Sequence, residues 1–304
     1  MNRSIKLFFA LILFKVAMAQ GTSYYLMGTY AYIELPSQNL NLTAYKYLKE
    51  IEMKLSDYLD SSEVSKINLN AGDKFVKVSD VTLEAIKNSI EISRKTWGFF
   101  DVTFGALTIN AKRLGKISED SARKLINFMD IVISGDSVML ARKGMSIDLG
   151  GIGKGFAIEK TYNYLKINSG FISIGGDMKV WGHKRTLAIK NPIEGGALVQ
   201  MINSKDVSIS TSGNYLRKHI ETRDDKIVQI TVAHENSTFA DAYATALFAM
   251  SKDLKEKFLS ENPDVGVLML YEDGSVFMNK KFREFFEVII FKDAAKYISK
   301  TKKR

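Results

Sequence analysis

The chain has 304 residues, of which 46% are hydrophobic and 25% are charged, and its formal net charge is +9. It contains no cysteine, which excludes disulfide bonds, thiolate catalysis and a lipidated cysteine. The lysines are scattered and the one basic run, at 300–304, indicates a solvated tail rather than a nucleic-acid interface, although a basic surface favours an anionic substrate.

The N-terminus has the three parts of a secretory signal peptide. Residues 1–6 are basic, residues 7–14 are apolar, and Ala17 and Ala19 form an Ala-x-Ala cleavage site. The apolar run is too short for a convincing membrane span. The alternative to a cleaved signal peptide is an uncleaved N-terminal anchor or a buried helix. We therefore predict removal of residues 1–19 and export of residues 20–304 as one catalytic domain. Export without cysteine fits a bacterial periplasm.

The first half of the chain alternates irregularly between strand and helix patterns. Alternating apolar and polar residues predict strands, and apolar residues at helical spacing predict helices. The predicted strands are 23–35, 130–133, 137–141 and 146–148. The predicted helices are 40–58, 81–97 and 118–128, with a loop at 98–115.

The second half contains more strand patterns and two helices. The predicted helices are 152–165 and 238–250. The predicted strands are 171–174, 186–190, 197–202, 206–210, 226–233, 265–271 and 275–278. Long β runs with a few helices predict an α+β fold, with mixed or antiparallel sheets and packed helices, rather than a doubly wound parallel sheet.

The most distinctive segment is a glycine-rich turn, Asp-Leu-Gly-Gly-Ile-Gly-Lys-Gly at 148–155. Its bare backbone at a helix N-terminus can approach an anion, and Lys154 adds a positive charge. It is not a Walker A loop, because Gly155 follows the lysine in place of Ser or Thr. The alternative is a tight connection between a strand and a helix, with a solvated lysine.

A second segment, Asp-Ala-Tyr-Ala-Thr at 241–245, places a carboxylate and a hydroxyl on one face of a predicted helix. Hard oxygen ligands suit Mg²⁺, which keeps substrate phosphate oxygens in its coordination shell. Alternatively, Asp241 only interacts with the helix dipole and Thr245 only packs. The surrounding alanines favour the metal, because small side chains leave room for an ion. Together the two segments predict a metal-bridged nucleotide pyrophosphate.

The motif order along residues 20–304 resembles that of the ApbE family, the FAD:protein FMN transferases. Each match is weak alone, but their shared order is specific. The matching segments are Met-Gly-Thr at 27–29, Leu-Ser-Asp-Tyr at 55–58, Ser-Glu-Val-Ser-Lys-Ile-Asn at 62–68, Phe-Asp-Val-Thr-Phe-Gly-Ala-Leu at 100–107, the glycine-rich turn, Ile-Gly-Gly-Asp at 174–177, Ser-Thr-Ser-Gly-Asn-Tyr at 210–215 and Ala-Asp-Ala-Tyr-Ala-Thr-Ala-Leu-Phe at 240–248.

The chain departs from the family pattern at three places. Ala106 replaces a proline, and Gly153 replaces an alanine. The family's His-Ile-Ile-Asp-Pro-x-Thr-Gly motif is compressed to Arg-Lys-His-Ile-Glu-Thr-Arg-Asp at 217–224, with no proline. His219 lies in this segment, and it is our candidate for the general base because an unperturbed imidazole titrates near neutral pH.

The resemblance implies an ApbE-like architecture related to the T-fold, and it implies a role for each matching residue. Asp241, Thr245 and the carbonyl oxygen of Gly151 would bind Mg²⁺. His219 and Asp241 would be the catalytic residues. The residues expected to contact FAD are Met27, Tyr58, Ala106, Leu107, Thr108, Asp148 and Lys154. For Met27 and Tyr58, the alternative is ordinary core packing.

The implied function is covalent flavinylation that depends on Mg²⁺: the FMN moiety of FAD is transferred to a Ser or Thr hydroxyl of an acceptor protein, and AMP is released. The implied acceptors are periplasm-facing subunits of Rnf-type or Nqr-type (sodium-pumping NADH:quinone reductase) complexes and FMN-binding-domain proteins, so membrane contact is peripheral. Two alternatives stay open. One is a Mg²⁺-dependent pyrophosphatase that cuts FAD to FMN and AMP, and the other is a non-catalytic periplasmic flavin-binding protein.

Overall fold

The computed structural model describes residues 20–214, 220–224 and 226–291. The strands are β1 (Thr22–Leu26), β2 (Thr29–Glu34), β3 (Val76–Lys77), β4 (Ile131–Ser134), β5 (Ser137–Leu140), β6 (Gly170–Ile174), β7 (Asp177–Trp181), β8 (Thr186–Lys190), β9 (Ala197–Asn203), β10 (Val207–Gly213), β11 (Ile227–His234), β12 (Gly266–Tyr271), β13 (Val276–Met278) and β14 (Phe286–Phe291). The helices are α1 (Gln38–Leu55), α2 (Glu63–Leu69), α3 (Asp80–Lys95), α4 (Glu119–Arg123), α5 (Gly153–Leu165), α6 (Ser237–Ala249), α7 (Lys252–Glu261) and α8 (Lys280–Glu284). In these ranges no helix has the length and apolarity needed to cross a bilayer.

The strands form one large sheet and two small ones. The large sheet has eight strands in the order β1-β2-β6-β7-β10-β11-β12-β13, and the small sheets have the orders β14-β9-β8 and β3-β5-β4. All the pairings between these strands are antiparallel. The predicted α+β class with antiparallel sheets is therefore confirmed.

The large sheet is covered on both faces. One face packs against α1, α3, α5 and α6, and the other packs against the sheet of β8, β9 and β14. Side chains alternate between these layers along a strand. Ile209 of β10 packs with the small sheet, whereas Ser208 and Ser210 bond to residues of α6. The helix-facing layer therefore contains buried polar groups, which need partners there.

Residues 23–35 form a hairpin rather than the single strand we predicted. The chain reverses at Met27 and Gly28, which have φ angles of 51° and 70°, and β1 pairs with β2 from Leu26 opposite Thr29. Two consecutive residues with positive φ match the twist of a two-residue hairpin loop. The alternation of apolar and polar residues continues through the turn, so periodicity alone could not reveal it.

Two further predictions in the first half are wrong. Residues 146–148 belong to no strand, because the peptide groups of Ile147 bond to a side chain: Asn68 Nδ2 donates to the Ile147 carbonyl at 2.9 Å, and Asn68 Oδ1 accepts from its N–H at 2.6 Å. The predicted loop at 98–115 contains a wide π-type helix, Ala106–Arg113. Its i→i+5 hydrogen bonds shift the period, so an ordinary helical pattern is not visible there.

Candidate active site

The glycine-rich turn at 148–155 is held in place by the carboxylate of Asp148. Its Oδ2 accepts a hydrogen bond from Thr108 Oγ1 at 2.6 Å, and its Oδ1 accepts one from the backbone N–H of Gly150 at 2.8 Å. The first bond ties the turn to the π-type helix, and the second closes the turn on itself. Asp148 therefore fixes the loop that leads into α5.

Helix α6 packs directly against the start of α5 because Gly155 has no side chain. A Cβ at this position would clash with the carbonyl oxygen of Ser237 and would lie 2.6 Å from the Cβ of Asp241. The Gly155 N–H donates to Asp241 Oδ2 at 2.9 Å. Helix α6 begins after Asn236, whose Oδ1 accepts from the N–H groups of the first turn. The two distinctive sequence segments therefore meet, although 86 positions separate Gly155 from Asp241.

Asp241 belongs to a group that we call the carboxylate cluster: Lys154, Asp177, Ser210 and Asp241. Lys154 Nζ lies 2.9 Å from Asp177 Oδ2 and 3.6 Å from Asp241 Oδ2. Ser210 Oγ donates to Asp177 Oδ1 at 2.5 Å and lies 3.5 Å from Asp241 Oδ1. The side chains of Asp177 and Asp241 are only 5% and 4% exposed. Residues from α5, β7, β10 and α6 thus place two buried carboxylates around one ammonium.

The electrostatics of the cluster favour a further cation. Burial raises the pKa of Asp241, the Asp177 carboxylate raises it further, and Lys154 opposes both effects. Burial by itself lowers the pKa of Lys154, but the two carboxylates outweigh it and raise that pKa above its ordinary value. Lys154 therefore remains charged. The raised pKa of Asp241 indicates that the single ammonium does not fully compensate the two buried carboxyl groups, so a bound cation would stabilise the cluster.

The remaining predicted magnesium ligands lie next to Asp241. Thr245 Oγ1 lies 3.4 Å from the carbonyl oxygen of Gly151 and 3.3 Å from the carbonyl oxygen of Asp241. A Cβ on Gly151 would lie 3.1 Å from the Thr245 side chain and would crowd it. In the described parts of the chain, no group of three or more His, Cys, Asp or Glu side chains has a metal-binding arrangement. Carboxylate, hydroxyl and carbonyl oxygens suit Mg²⁺, with substrate phosphates completing its shell.

The comparisons with known proteins show the family of this chain. A model of the ApbE family matches residues 27–269, which include the whole carboxylate cluster. The chain belongs to the ApbE family. The FAD:protein FMN transferase of Vibrio cholerae serotype O1 is 26% identical over 296 residues, covering 84% of this chain and 88% of that protein. The FAD:protein FMN transferase of Treponema pallidum is 26% identical over 275 residues, covering 75% and 76%.

Solved ApbE structures have the same fold. The flavin transferase ApbE from Vibrio cholerae matches with a TM-score of 0.75 and 25% identity, over 88% of this chain and 98% of that chain. The ApbE protein from Thermotoga maritima matches with a TM-score of 0.76 and 22% identity, over 88% and 99%. The resemblance inferred from the motif order and the α+β class are both confirmed.

In this ApbE chain, Tyr58 lies at the surface rather than in the core. Its side chain is 76% exposed, and the Arg113 guanidinium lies over its ring, 4.1 Å from the centroid. Arg113 also forms an ion pair with Asp57 at 2.8 Å. Burial raises the pKa of Asp57, and the charge of Asp148 raises it further. The charge of Asp148 in the glycine-rich turn therefore acts on Asp57, the residue before Tyr58.

The other predicted FAD contacts occupy different environments. The N–H of Met27 donates to Glu52 Oε1 at 2.9 Å, and its hairpin lies against the turn before Asp177, where the Gly175 N–H donates to the Tyr30 carbonyl at 3.0 Å. Ala106 and Leu107 are fully buried, whereas Thr108 reaches Asp148. The FAD contacts of Met27, Tyr58, Ala106, Leu107, Thr108, Asp148 and Lys154 stay predictions.

Sequence reasoning did not include two cluster residues, and one predicted residue lies outside the described ranges. Asp177 and Ser210 fall within matched ApbE motifs, but they had been given no role. The sequence shows only the Gly-Gly-Asp motif at 175–177, which does not indicate that Asp177 meets Asp241. His219 lies outside the described residues, so its role as the general base also stays a prediction.

Proposed function

We propose that this chain is a Mg²⁺-dependent FAD:protein FMN transferase, which moves the FMN moiety of FAD to a Ser or Thr hydroxyl of an acceptor protein and releases AMP. One observation carries the proposal: Asp177, Asp241 and Lys154 converge from three elements beside Gly151 and Thr245. The names of the two relatives support the choice of substrate.

The reaction exchanges one oxygen substituent of a phosphorus for another. The acceptor hydroxyl oxygen bonds to the phosphorus nearer the riboflavin, and the bond from that phosphorus to the bridging oxygen breaks. AMP leaves with the bridging oxygen, and the hydroxyl proton passes to a base, the role that we assign to His219. No covalent bond to the enzyme forms.

The residues of the cluster would bind and orient the pyrophosphate. The charged Lys154 would neutralise phosphate oxygens, and the start of α5 would add the positive end of its helix dipole. Asp148 fixes the shape of the glycine-rich turn through Thr108 and Gly150. Mg²⁺, bound by Asp241, Thr245 and the Gly151 carbonyl, would neutralise charge on the oxygens around the reacting phosphorus.

The proposal extends to the cellular setting. The signal-like residues 1–19 support export to the periplasm of residues 20–304 as one flavin transferase domain. Acceptors would then be periplasm-facing subunits of Rnf-type or Nqr-type complexes, or FMN-binding-domain proteins. The enzyme would contact such membrane complexes only at their periplasmic surface.

The direct test is a transfer assay. The protein is incubated with FAD, Mg²⁺ and a purified FMN-binding-domain protein, and flavin on the acceptor is measured by in-gel fluorescence and mass spectrometry. We expect covalent FMN on a Ser or Thr and an equal amount of AMP. Release of AMP without a labelled acceptor would indicate a pyrophosphatase. Tight FAD binding that survives chelation, with neither product, would indicate a flavin-binding protein.

A further inference from the structure

A second polar group is buried beneath the carboxylate cluster, around Lys179 of β7. The Lys179 side chain is only 3% exposed, and its ammonium has three polar partners. It lies 3.0 Å from Glu159 Oε2, 2.7 Å from the carbonyl oxygen of Glu235 and 3.3 Å from Ser208 Oγ. Lysine is rarely buried to this extent unless it is paired, and here the three polar partners compensate the buried charge.

The partners of Lys179 also bond to the beginning of α6. Glu159 Oε2 accepts from the Ser237 N–H at 2.8 Å, and the hydroxyls of Ser208 and Ser237 are 2.8 Å apart. Ser237 is the first residue of α6. We call Glu159, Lys179, Ser208 and Ser237 the lysine network; it joins the N-terminus of α6 to α5, β7 and β10.

The same four elements supply the carboxylate cluster. Residues two apart on a strand share a face, and residues four apart on a helix lie one turn apart. Three pairs follow these spacings: Asp177 and Lys179 on β7, Ser210 and Ser208 on β10, and Asp241 and Ser237 on α6. On α5, Lys154 and Glu159 are five residues apart. The lysine network therefore lies next to the cluster along β7, β10 and α6, and α5 supplies a residue to each group.

The chemistry of the network suits positioning better than simple stabilisation. A buried ion pair adds little net stability compared with apolar packing, because both charges lose their hydration. An ammonium with three acceptors on different segments, however, is satisfied in only one relative placement of those segments. If α6 shifted along α5, Lys179 would lose the Glu235 carbonyl, and Glu159 would lose the Ser237 N–H. The same shift would carry Asp241 away from Asp177.

We propose that Lys179 is a positioning residue, which holds α6 against β7 and α5 so that Asp241 stays beside Asp177 and Lys154, where it can bind a divalent cation. The inference rests on the proposed function, because it presumes that the cluster binds a cation with FAD. Lys179 contacts no proposed ligand and acts through the placement of α6. Removal of groups that orient metal ligands typically changes metal affinity by about 10- to 100-fold.

The test is Mn²⁺ affinity, measured by electron paramagnetic resonance of free Mn²⁺ in the presence of FAD, for the whole protein and two variants. Lys179→Met removes the ammonium and keeps the stem. Lys255→Met is the matched control, because Lys255 is 2% exposed and pairs with Asp224 at 2.9 Å, but α7 supplies no side chain to the cluster. We expect Lys179→Met to bind Mn²⁺ about tenfold or more weakly, and Lys255→Met to bind within about twofold of the parent.

A milder variant keeps the test decisive if Lys179→Met does not fold. Ser208→Ala removes the hydroxyl between Lys179 and Ser237 without leaving a buried charge unpaired, and we expect a loss of roughly threefold in Mn²⁺ affinity. Unchanged affinity in a folded Lys179→Met, or in Ser208→Ala when Lys179→Met is unfolded, would overturn the inference. So would equal losses in Lys179→Met and Lys255→Met. If the parent protein with FAD binds no Mn²⁺, the proposed function fails, and the inference fails with it.

Discussion

At the scale of single residues, two glycines, which have no side chain, allow the site to form. Gly155 lets α6 lie against α5, and Gly151 leaves space beside Thr245. Neither glycine has a positive φ, so their importance lies in close approach rather than in an unusual backbone conformation. The hydrogen bond from Gly155 to Asp241 then orients the carboxylate towards Lys154.

Gly155→Ala should separate α5 from α6. The added methyl group would clash with the Ser237 carbonyl and the Asp241 Cβ, so we expect a loss of about 1–3 kcal/mol in the free energy of unfolding and a loss of FMN transfer. Gly153→Ala is the control, because its nearest neighbour would be the Leu149 Cβ at 3.9 Å. There we expect no loss, or a gain of up to about 1 kcal/mol. Urea unfolding measures both. Full transfer activity in Gly155→Ala would show that the close approach is unnecessary.

Asp241→Asn should separate function from folding. The amide oxygen can still accept a hydrogen bond from the Gly155 N–H. The substitution also removes a buried carboxyl group, whose pKa is raised by burial and by Asp177. We expect an unchanged or higher melting temperature, retained FAD binding and transfer slowed by about a hundredfold or more. Calorimetry and the transfer assay check the two effects. A variant that transfers FMN at the parent rate would exclude Asp241 as a metal ligand.

At the scale of elements, periodicity predicted the amphipathic ones well. Helices α1, α3, α5 and α6 begin and end within a few residues of the predictions. Helices α1 and α3 each bury one stripe of apolar residues, whereas α6 is buried on nearly all sides and was recognisable from its apolar composition. Strand β7 was not predicted, although its first four residues alternate between polar and apolar; it is short and directly follows Gly175 and Gly176, which indicated a turn. Helix α7 was also not predicted, since charged residues dominate its sequence.

The extended segment before the glycine-rich turn gives a prediction at this scale. Asn68→Ala removes both bonds to the Ile147 peptide and leaves an N–H and a carbonyl without their partner. We expect a loss of about 1–3 kcal/mol in the free energy of unfolding and weaker FAD binding, because the turn loses its support. In the control Asn70→Ala, the lost bond to the Lys66 carbonyl is exposed, so we expect a change of about 0.5 kcal/mol. Equal effects in both variants would contradict the supporting role of Asn68.

At the scale of the whole molecule, the site depends on contacts between segments that are distant in the chain. The glycine-rich turn and the Asp241 helix were recognisable because each has a local motif. Asp177 and Ser210 were not, since their meeting depends on β7 pairing with β10 in the large sheet, and that pairing cannot be derived from either segment alone. The sequence therefore predicted Asp241, Thr245, Gly151 and Lys154 as neighbours, but not the second carboxylate.

Binding of FAD and Mg²⁺ between the glycine-rich turn and α6 should stabilise the whole fold. FAD and Mg²⁺ together, at about 100 times their dissociation constants, should add roughly 2.7 kcal/mol and raise the melting temperature by about 5 °C or more. EDTA should remove the part of the shift that depends on Mg²⁺, and Asp241→Asn should lack that part from the start. Equal shifts with FAD alone and with FAD plus Mg²⁺, measured by differential scanning fluorimetry, would contradict a shared site.

The most direct measurement is a crystal structure with FAD and Mn²⁺, in which anomalous scattering locates the cation. We expect a single strong peak bonded to the Asp241 carboxylate, Thr245 Oγ1 and the Gly151 carbonyl oxygen, with a pyrophosphate oxygen of FAD as a further ligand. A peak elsewhere, or bound FAD with no cation between α6 and the glycine-rich turn, would contradict the account.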